Sequence, residues 1–303
     1  MPADASVLPK GKTPADAGRK TRPPFRDVLL YLSAYPETAS AARIAEAVRL
    51  CAMLGKHICA VVEEPSFDIP VNPLAAGLGA VAAVEADQDR RAAAARAKVI
   101  ASFNAAVKAA PVTSSSVCER SRFGRLAGEH VAHAARVHDL CVIPYLAGED
   151  GQRSVAKAAL FDGGRPVLLV PPACGQVRLD GSVLIAWDGG RASARAVADA
   201  MPLLERAADV VILTITGARR APPHRNSEPL LEHLARHGVK ASAREMDAQG
   251  SSEEEALVRG VEAGRPDLLV MGGYGRSPAG ELLLGGMTER LLQRPPIPVF
   301  LSH

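Results

Sequence analysis

The chain predicts an α/β protein of two tandem doubly wound domains, each a Rossmann-like five-stranded parallel sheet with helices on both faces. Three observations carry that expectation. Short apolar runs alternate with amphipathic stretches along the 303 residues, which demands crossover connections and hence parallel strands. The pattern also repeats. One helical stripe, Ala41, Ile44, Ala45, Val48 and Cys51, returns 153 positions later as Ala194, Val197, Ala198, Met201 and Leu204. Finally, aromatic residues make up only 4% of a chain that is 48% hydrophobic, so the cores must be filled by Ala, Val, Leu and Ile.

Residues 1–24, rich in Pro, Ala, Lys, Gly and Asp, read as a disordered leader. The first domain, 25–173, opens on Val28-Leu29-Leu30-Tyr31-Leu32-Ser33, and the second, 176–303, on Val183-Leu184-Ile185-Ala186-Trp187-Asp188. The matched helices follow. Second strands at 57–62 and 210–215 keep the same displacement, and an insertion from Glu64 to about Val84, rich in Pro and Gly, is expected to be irregular. A long Ala-rich helix then runs to about Ala109 as a solvated cover on the sheet. Asp139-Leu140-Cys141-Val142-Ile143 answers Asp267-Leu268-Leu269-Val270-Met271 as the fourth strand, and 165–170 answers 297–301 as the fifth. The boundary falls at Pro171-Pro172-Ala173-Cys174-Gly175.

A net charge of +3, with Arg and Lys spread along the chain, lacks the basic stripe of a nucleic-acid binder. No segment reaches the roughly 20 apolar residues of a membrane helix. Cys51, Cys59, Cys118, Cys141 and Cys174 are odd in number and never spaced Cys-x-x-Cys, so they read as reduced thiols of a cytoplasmic protein.

The segment with most chemical content is Gly272-Gly273-Tyr274-Gly275-Arg276 on the exit of the fourth strand, followed by Gly285-Gly286-Met287-Thr288. Glycines at a strand exit let backbone amides approach an anion, and the helix that follows adds its N-terminal dipole. The same glycines also suit a plain turn. In an open parallel sheet the ligand crevice lies at the carboxyl ends of the strands where their order reverses, between the first and fourth. There Asp188 meets the Gly272 loop: an acceptor for a ribose hydroxyl beside amides for phosphates. Alone, Asp188 reads equally as a helix-entry residue ahead of Gly189-Gly190. The first domain carries Ser33 in place of Asp188 and Pro144-Tyr145 in place of the paired glycines, so it is expected to keep the fold and lose the site.

Gly272-x2-Gly275-x9-Gly285, with an aspartate ending the first strand, resembles the universal stress protein family. The resemblance covers both halves, from about residue 26, as a tandem member, and implies strand order 3-2-1-4-5. It also implies a site for ATP or another adenine nucleotide, with or without Mg, in the second domain: Ala186 and Asp188 near adenosine, and Gly272, Gly275, Gly285, Gly286 and Met287 at the phosphates. Two positions depart from the pattern, Gly286 where Ser or Thr is usual and Gly190 where Ser is common. Each lost hydroxyl contact costs about 0.5–1.5 kcal/mol, a weakening rather than an abolition.

No Gly-x4-Gly-Lys-[Ser/Thr] loop and no Gly-x-Ser-x-Gly elbow is present, so the expectation is a binding or sensing module and not an enzyme. Two rivals stand beside it: an interaction adaptor of the same fold that binds no nucleotide, and a slow ATPase. The duplication predicts an internal pseudo-dimer, with pairing of whole chains also open. The histidine groups His130, His133, His138 and His233, His237 read as solvated helix faces, with one core histidine conceivable in the first set, and no metal site is expected. Glu253-Glu254-Glu255 reads as a helix N-terminus.

Overall fold

The computed structural model of the chain describes residues 22–34, 38–66, 78–122, 128–145, 150–172, 177–217, 226–273, 286–293 and 295–303. The expected leader up to residue 21 and part of the boundary segment lie outside them.

In chain order the first half runs β1 (Asp27–Ser33), α1 (Ala41–Leu54), β2 (His57–Ser66), α2 (Leu78–Lys108), β3 (Thr113–Arg122), α3 (Glu129–Ala135), β4 (Leu140–Pro144), α4 (Asp150–Asp162) and β5 (Val167–Val170). The second half repeats it as β6 (Ser182–Ala186), α5 (Arg191–Leu204), β7 (Asp209–Thr216), α6 (Glu228–Arg236), β8 (Ala241–Asp247), α7 (Glu253–Gly264), β9 (Leu268–Gly272), α8 (Gly286–Gln293) and β10 (Val299–Ser302). The expected irregular insertion is shorter than the sequence suggests. β2 continues through Ser66 because Glu64, Pro65 and Ser66 pair with Arg120, Ser121 and Arg122 of β3, and α2 already begins at Leu78.

Each half has strand order 3-2-1-4-5, and the two join into one ten-stranded sheet, β3-β2-β1-β4-β5-β10-β9-β6-β7-β8. Every pairing is parallel except the central one, where β10 and β5 run antiparallel with Phe300 opposite Leu168. An antiparallel seam between two copies of the same edge strand is what a pseudo-two-fold axis produces. Tyr145 crosses it, its hydroxyl donating to the Leu292 carbonyl at 2.6 Å, and Phe161 meets His303 edge-on with ring centroids 5.0 Å apart. Among the described residues the interior contains no large aromatic stack. Its two layers of buried Ala, Val, Leu and Ile lie on opposite faces of the sheet, one under α1, α2, α5 and α6, the other under α3, α4, α7 and α8.

The matched aspartates that open β4 and β9 do the same work in both halves. Asp139 Oδ2 accepts from the Arg26 and Asp27 amides at 2.9 and 3.0 Å, and Asp267 Oδ2 accepts from the Ser182 amide at 2.7 Å. Each binds the start of the neighbouring first strand to the fourth. The triple glutamate does open a helix: Ser252 Oγ accepts from the Glu255 amide, and Glu255 Oε2 accepts from the Ser252 amide, both at 3.1 Å. Ser252→Ala therefore lowers the unfolding free energy by about 1 kcal/mol in urea titration, the usual value of a lost cap. An unchanged midpoint would mean the box contributes nothing in this helix.

Candidate functional site

The crevice at the carboxyl edge of the second half is built by three elements. β6 and β9 are parallel neighbours, with Ala186 opposite Met271, so Asp188 and Gly272 leave the sheet at the same edge. Between them stands the N-terminus of α5, capped by Gly190, which offers no side-chain acceptor of its own. Asp188 supplies it instead. Asp188 Oδ1 accepts from the Gly190 amide at 2.8 Å and from Ser193 Oγ at 2.6 Å. The carboxylate is thus a helix-entry residue, as one of its two sequence readings had it, and both bonds fall on one oxygen. Oδ2 remains uncommitted among the described residues.

Gly272 is a glycine for a reason the motif does not reveal. A Cβ there would lie 2.5 Å from both Ala192 C and Ser193 N, so only a residue without a side chain lets the strand end seat against the first turn of α5. Close strand–helix packing accounts for it, whatever the backbone offers to a ligand. Gly273 is bound to the end of β10, its amide donating to Ser302 O at 2.7 Å and its carbonyl 2.8 Å from His303 Nδ1, and a Cβ there would meet Leu160 of the first half, across the seam, at 2.8 Å.

One group here was not legible beforehand. Thr214, near the end of β7 and 1% exposed, has a hydroxyl without a hydrogen-bond partner among the described residues. It lies on the same face of the sheet as Trp187, whose amide donates to Leu213 O at 2.9 Å and whose indole donates to Asn226 O at 3.3 Å. A buried orphan hydroxyl is costly, about 1–3 kcal/mol, and is normally satisfied by something. The residues present therefore suit a polar ligand at this edge. Of the other expected contacts, Ala186 ends β6 half-buried, and Gly286 and Met287 open α8. Gly275 and Gly285 lie outside the described residues.

The first half differs at each equivalent point. Pro144 ends β4 where Gly272 ends β9, and its carbonyl accepts from Gln152 Nε2 at 3.0 Å. Tyr145, in place of Gly273, is spent on the seam. The half is nevertheless not filled in. α5 lies over β9 and β10, whereas α1 packs mainly on β1 and β2, and a groove of about 900 Å³ opens where the equivalent cover is missing. Ile44, Leu50, Val142 and Pro144 line it, with Arg43 and Arg178 at its charged margin. The half has lost amide donors, not space. Among the described residues no group of three or more His, Cys, Asp and Glu is arranged to hold a metal ion, and no helix is long and apolar enough to cross a membrane.

Residues 181–303 match the universal stress protein family. The match spans the second half of the chain. Across both halves the fold is that of tandem universal stress proteins. A universal stress protein from Archaeoglobus fulgidus superposes with a TM-score of 0.64 at 12% identity, covering 90% of this chain and 95% of that one. A putative universal stress protein from Pseudomonas aeruginosa gives 0.49 at 14% identity, with 94% of each chain covered. No curated protein matches the chain. The expected strand order 3-2-1-4-5 holds in each half, and the two fifth strands form the junction.

Proposed function

We propose that the second half binds an adenine nucleotide as a sensing ligand, held without efficient hydrolysis. The observation that carries this reading is the convergence at one sheet edge of the free Asp188 Oδ2, the N-terminus of α5 and the buried, unpartnered Thr214 hydroxyl. A carboxylate oxygen suits a ribose hydroxyl, a buried hydroxyl suits a base or sugar polar atom, and a helix N-terminus favours negative charge by about 0.3–1 kcal/mol. In this reading the remaining amides come from the Gly275 to Gly285 motif of the sequence, outside the described residues. No lysine or metal-binding hydroxyl of a phosphoryl-transfer loop accompanies them in the sequence, so binding is not coupled to rapid turnover.

Calorimetric titration of nucleotide-free protein with ATP, ADP and AMP, with and without magnesium, is the direct test. Heat of binding is expected at or below millimolar ligand, together with a change in Trp187 emission, and Gly275→Val should remove both while the melting temperature holds. Protein that evolves no heat with any of the three is an adaptor rather than a nucleotide sensor. Phosphate release over hours that vanishes in Gly275→Val would replace the sensing role with a slow ATPase.

A further inference from the structure

At the opposite end of the first half's sheet, where the strands begin, a second set of reactive side chains meets. Cys59 lies on β2, on the face covered by α3 and α4. Its thiol stands beside the His138 imidazole, just beyond α3, and Cys59 pairs across the sheet with Ser115 on β3. His138 Nδ1 is 2.7 Å from Ala134 O, and a ring nitrogen against a carbonyl oxygen must be the donor, so in the neutral ring Nε2 is the acceptor left for the thiol. Asp27 Oδ1 stands 3.8 Å from that Nε2 and 2.8 Å from His57 Nδ1. The groups facing the sulfur are therefore Asp27 from β1, His57 from β2, Ser115 from β3 and His138 beyond α3.

The fold does not require this set. In the second half the strand register places Val211 at Cys59, Asp209 at His57, Ser242 at Ser115, Pro266 at His138 and Ser182 at Asp27, with Val211 opposite Ser242 as Cys59 is opposite Ser115. That half builds the same sheet with neither a thiol nor an imidazole at these places. Nor is Cys59 like the other described thiols. Cys51 and Cys141 are 0% exposed, and burial pushes both up, Cys141 to about 12. Burial also pushes the Cys59 thiol up, but the hydrogen bonds from His138 and Ser115 and the imidazolium charge outweigh it and bring the thiol below its ordinary value. The bond to Cys59 in turn raises His138.

We propose that Cys59 is a peroxide-reactive thiol, with His138 as its positioning residue, built into the first half. Cys59 is 5% exposed where Cys51 and Cys141 are 0% exposed, so of these three thiols it alone reaches solvent. The Cys59 thiolate attacks one peroxide oxygen, an S–O bond forms as the O–O bond breaks, and the leaving hydroxide takes a proton from the His138 imidazolium and departs as water. Sulfur is oxidised by two electrons to the sulfenic acid, peroxide is reduced, and His138 is left neutral.

The test uses the full chain, treated with hydrogen peroxide in the absence of thiols, with the gain of one oxygen followed on each cysteine-bearing peptide by mass spectrometry. Cys59 is expected to oxidise at least about tenfold faster than Cys51 and Cys141 in the same molecules, and His138→Gln should remove most of that difference. The ultraviolet thiolate absorbance of wild type minus Cys59→Ser should titrate below the ordinary thiol range, and its midpoint should rise in His138→Gln, which a merely structural histidine would not cause. Should His138→Gln fail to fold, Ser115→Ala, at an exposed position of β3, removes the other hydrogen bond and should raise the midpoint and slow the oxidation. Oxidation of Cys59 no faster than that of the two buried thiols, or unchanged when its hydrogen-bond partners are removed, overturns the proposal.

Discussion

Phe300→Ala lowers the free energy of unfolding by about 3–5 kcal/mol, the cost of emptying a fully buried aromatic site that cannot collapse. Phe300 is 0% exposed on β10, opposite Leu168 of β5, at the one place where the two halves share a strand pairing. Its cavity therefore opens on the core of both. Urea unfolding followed by Trp187 emission, which reports the second half, and by far-ultraviolet circular dichroism, which reports both, should shift to lower denaturant by the same amount. If only the tryptophan signal moved, the halves would be separate folding units and the ten-stranded sheet would not be cooperative.

Gly272→Ala destabilises the protein by about 1–3 kcal/mol, the range for overpacking against atoms that cannot move aside. The added methyl lands 2.5 Å from backbone atoms of Ala192 and Ser193. Backbone held in the first turn of α5 has no rotamer to change, so the helix start must tilt away from β9. That start is also where Asp188 is bound, and nucleotide affinity is expected to fall along with the melting temperature. Gly264→Ala is the control. There a Cβ meets only Pro266 Cδ at 3.8 Å, at the last residue of α7, and stability should hold or rise by about 0.5–1 kcal/mol. Equal losses at both glycines in thermal denaturation would show that contact with α5 is not the cause.

Much of the architecture could be read from periodicity because a doubly wound fold writes itself into local pattern. A parallel strand covered on both faces must be an uninterrupted apolar run, and a covering helix must carry a stripe, so β1, β6, α1 and α5 announced themselves, as did their repetition. The insertion was misjudged because Glu64, Pro65 and Ser66 look like turn residues. Their strand character comes from Arg120, Ser121 and Arg122 on β3, more than fifty residues away in the chain.

The candidate sites were legible to different degrees for a related reason. Asp188 and Gly272 stood out because they interrupt apolar runs. Their partners did not. Ser193 appeared as one more small residue of a helix, and Thr214 as an ordinary β-branched strand residue, since neither the bond to Asp188 nor the missing bond at Thr214 is a property of local sequence. The sequence allowed one core histidine among His130, His133 and His138, and burial shows that it is His138.

The sequence by itself determined that this chain is a duplicated α/β protein with parallel sheets, where each half begins, and which half carries the glycine motif. Tertiary structure alone decided that the halves meet through antiparallel fifth strands, that Gly272 answers to a helix backbone, and that Cys59 stands beside His138. The division follows from range. Apolar periodicity is set by whether each residue of a helix or strand faces core or water, and neighbours in the chain record it. A seam, a steric contact or a side-chain pairing joins residues brought together only by crossover connections, and nothing in their local sequence carries the distance between them.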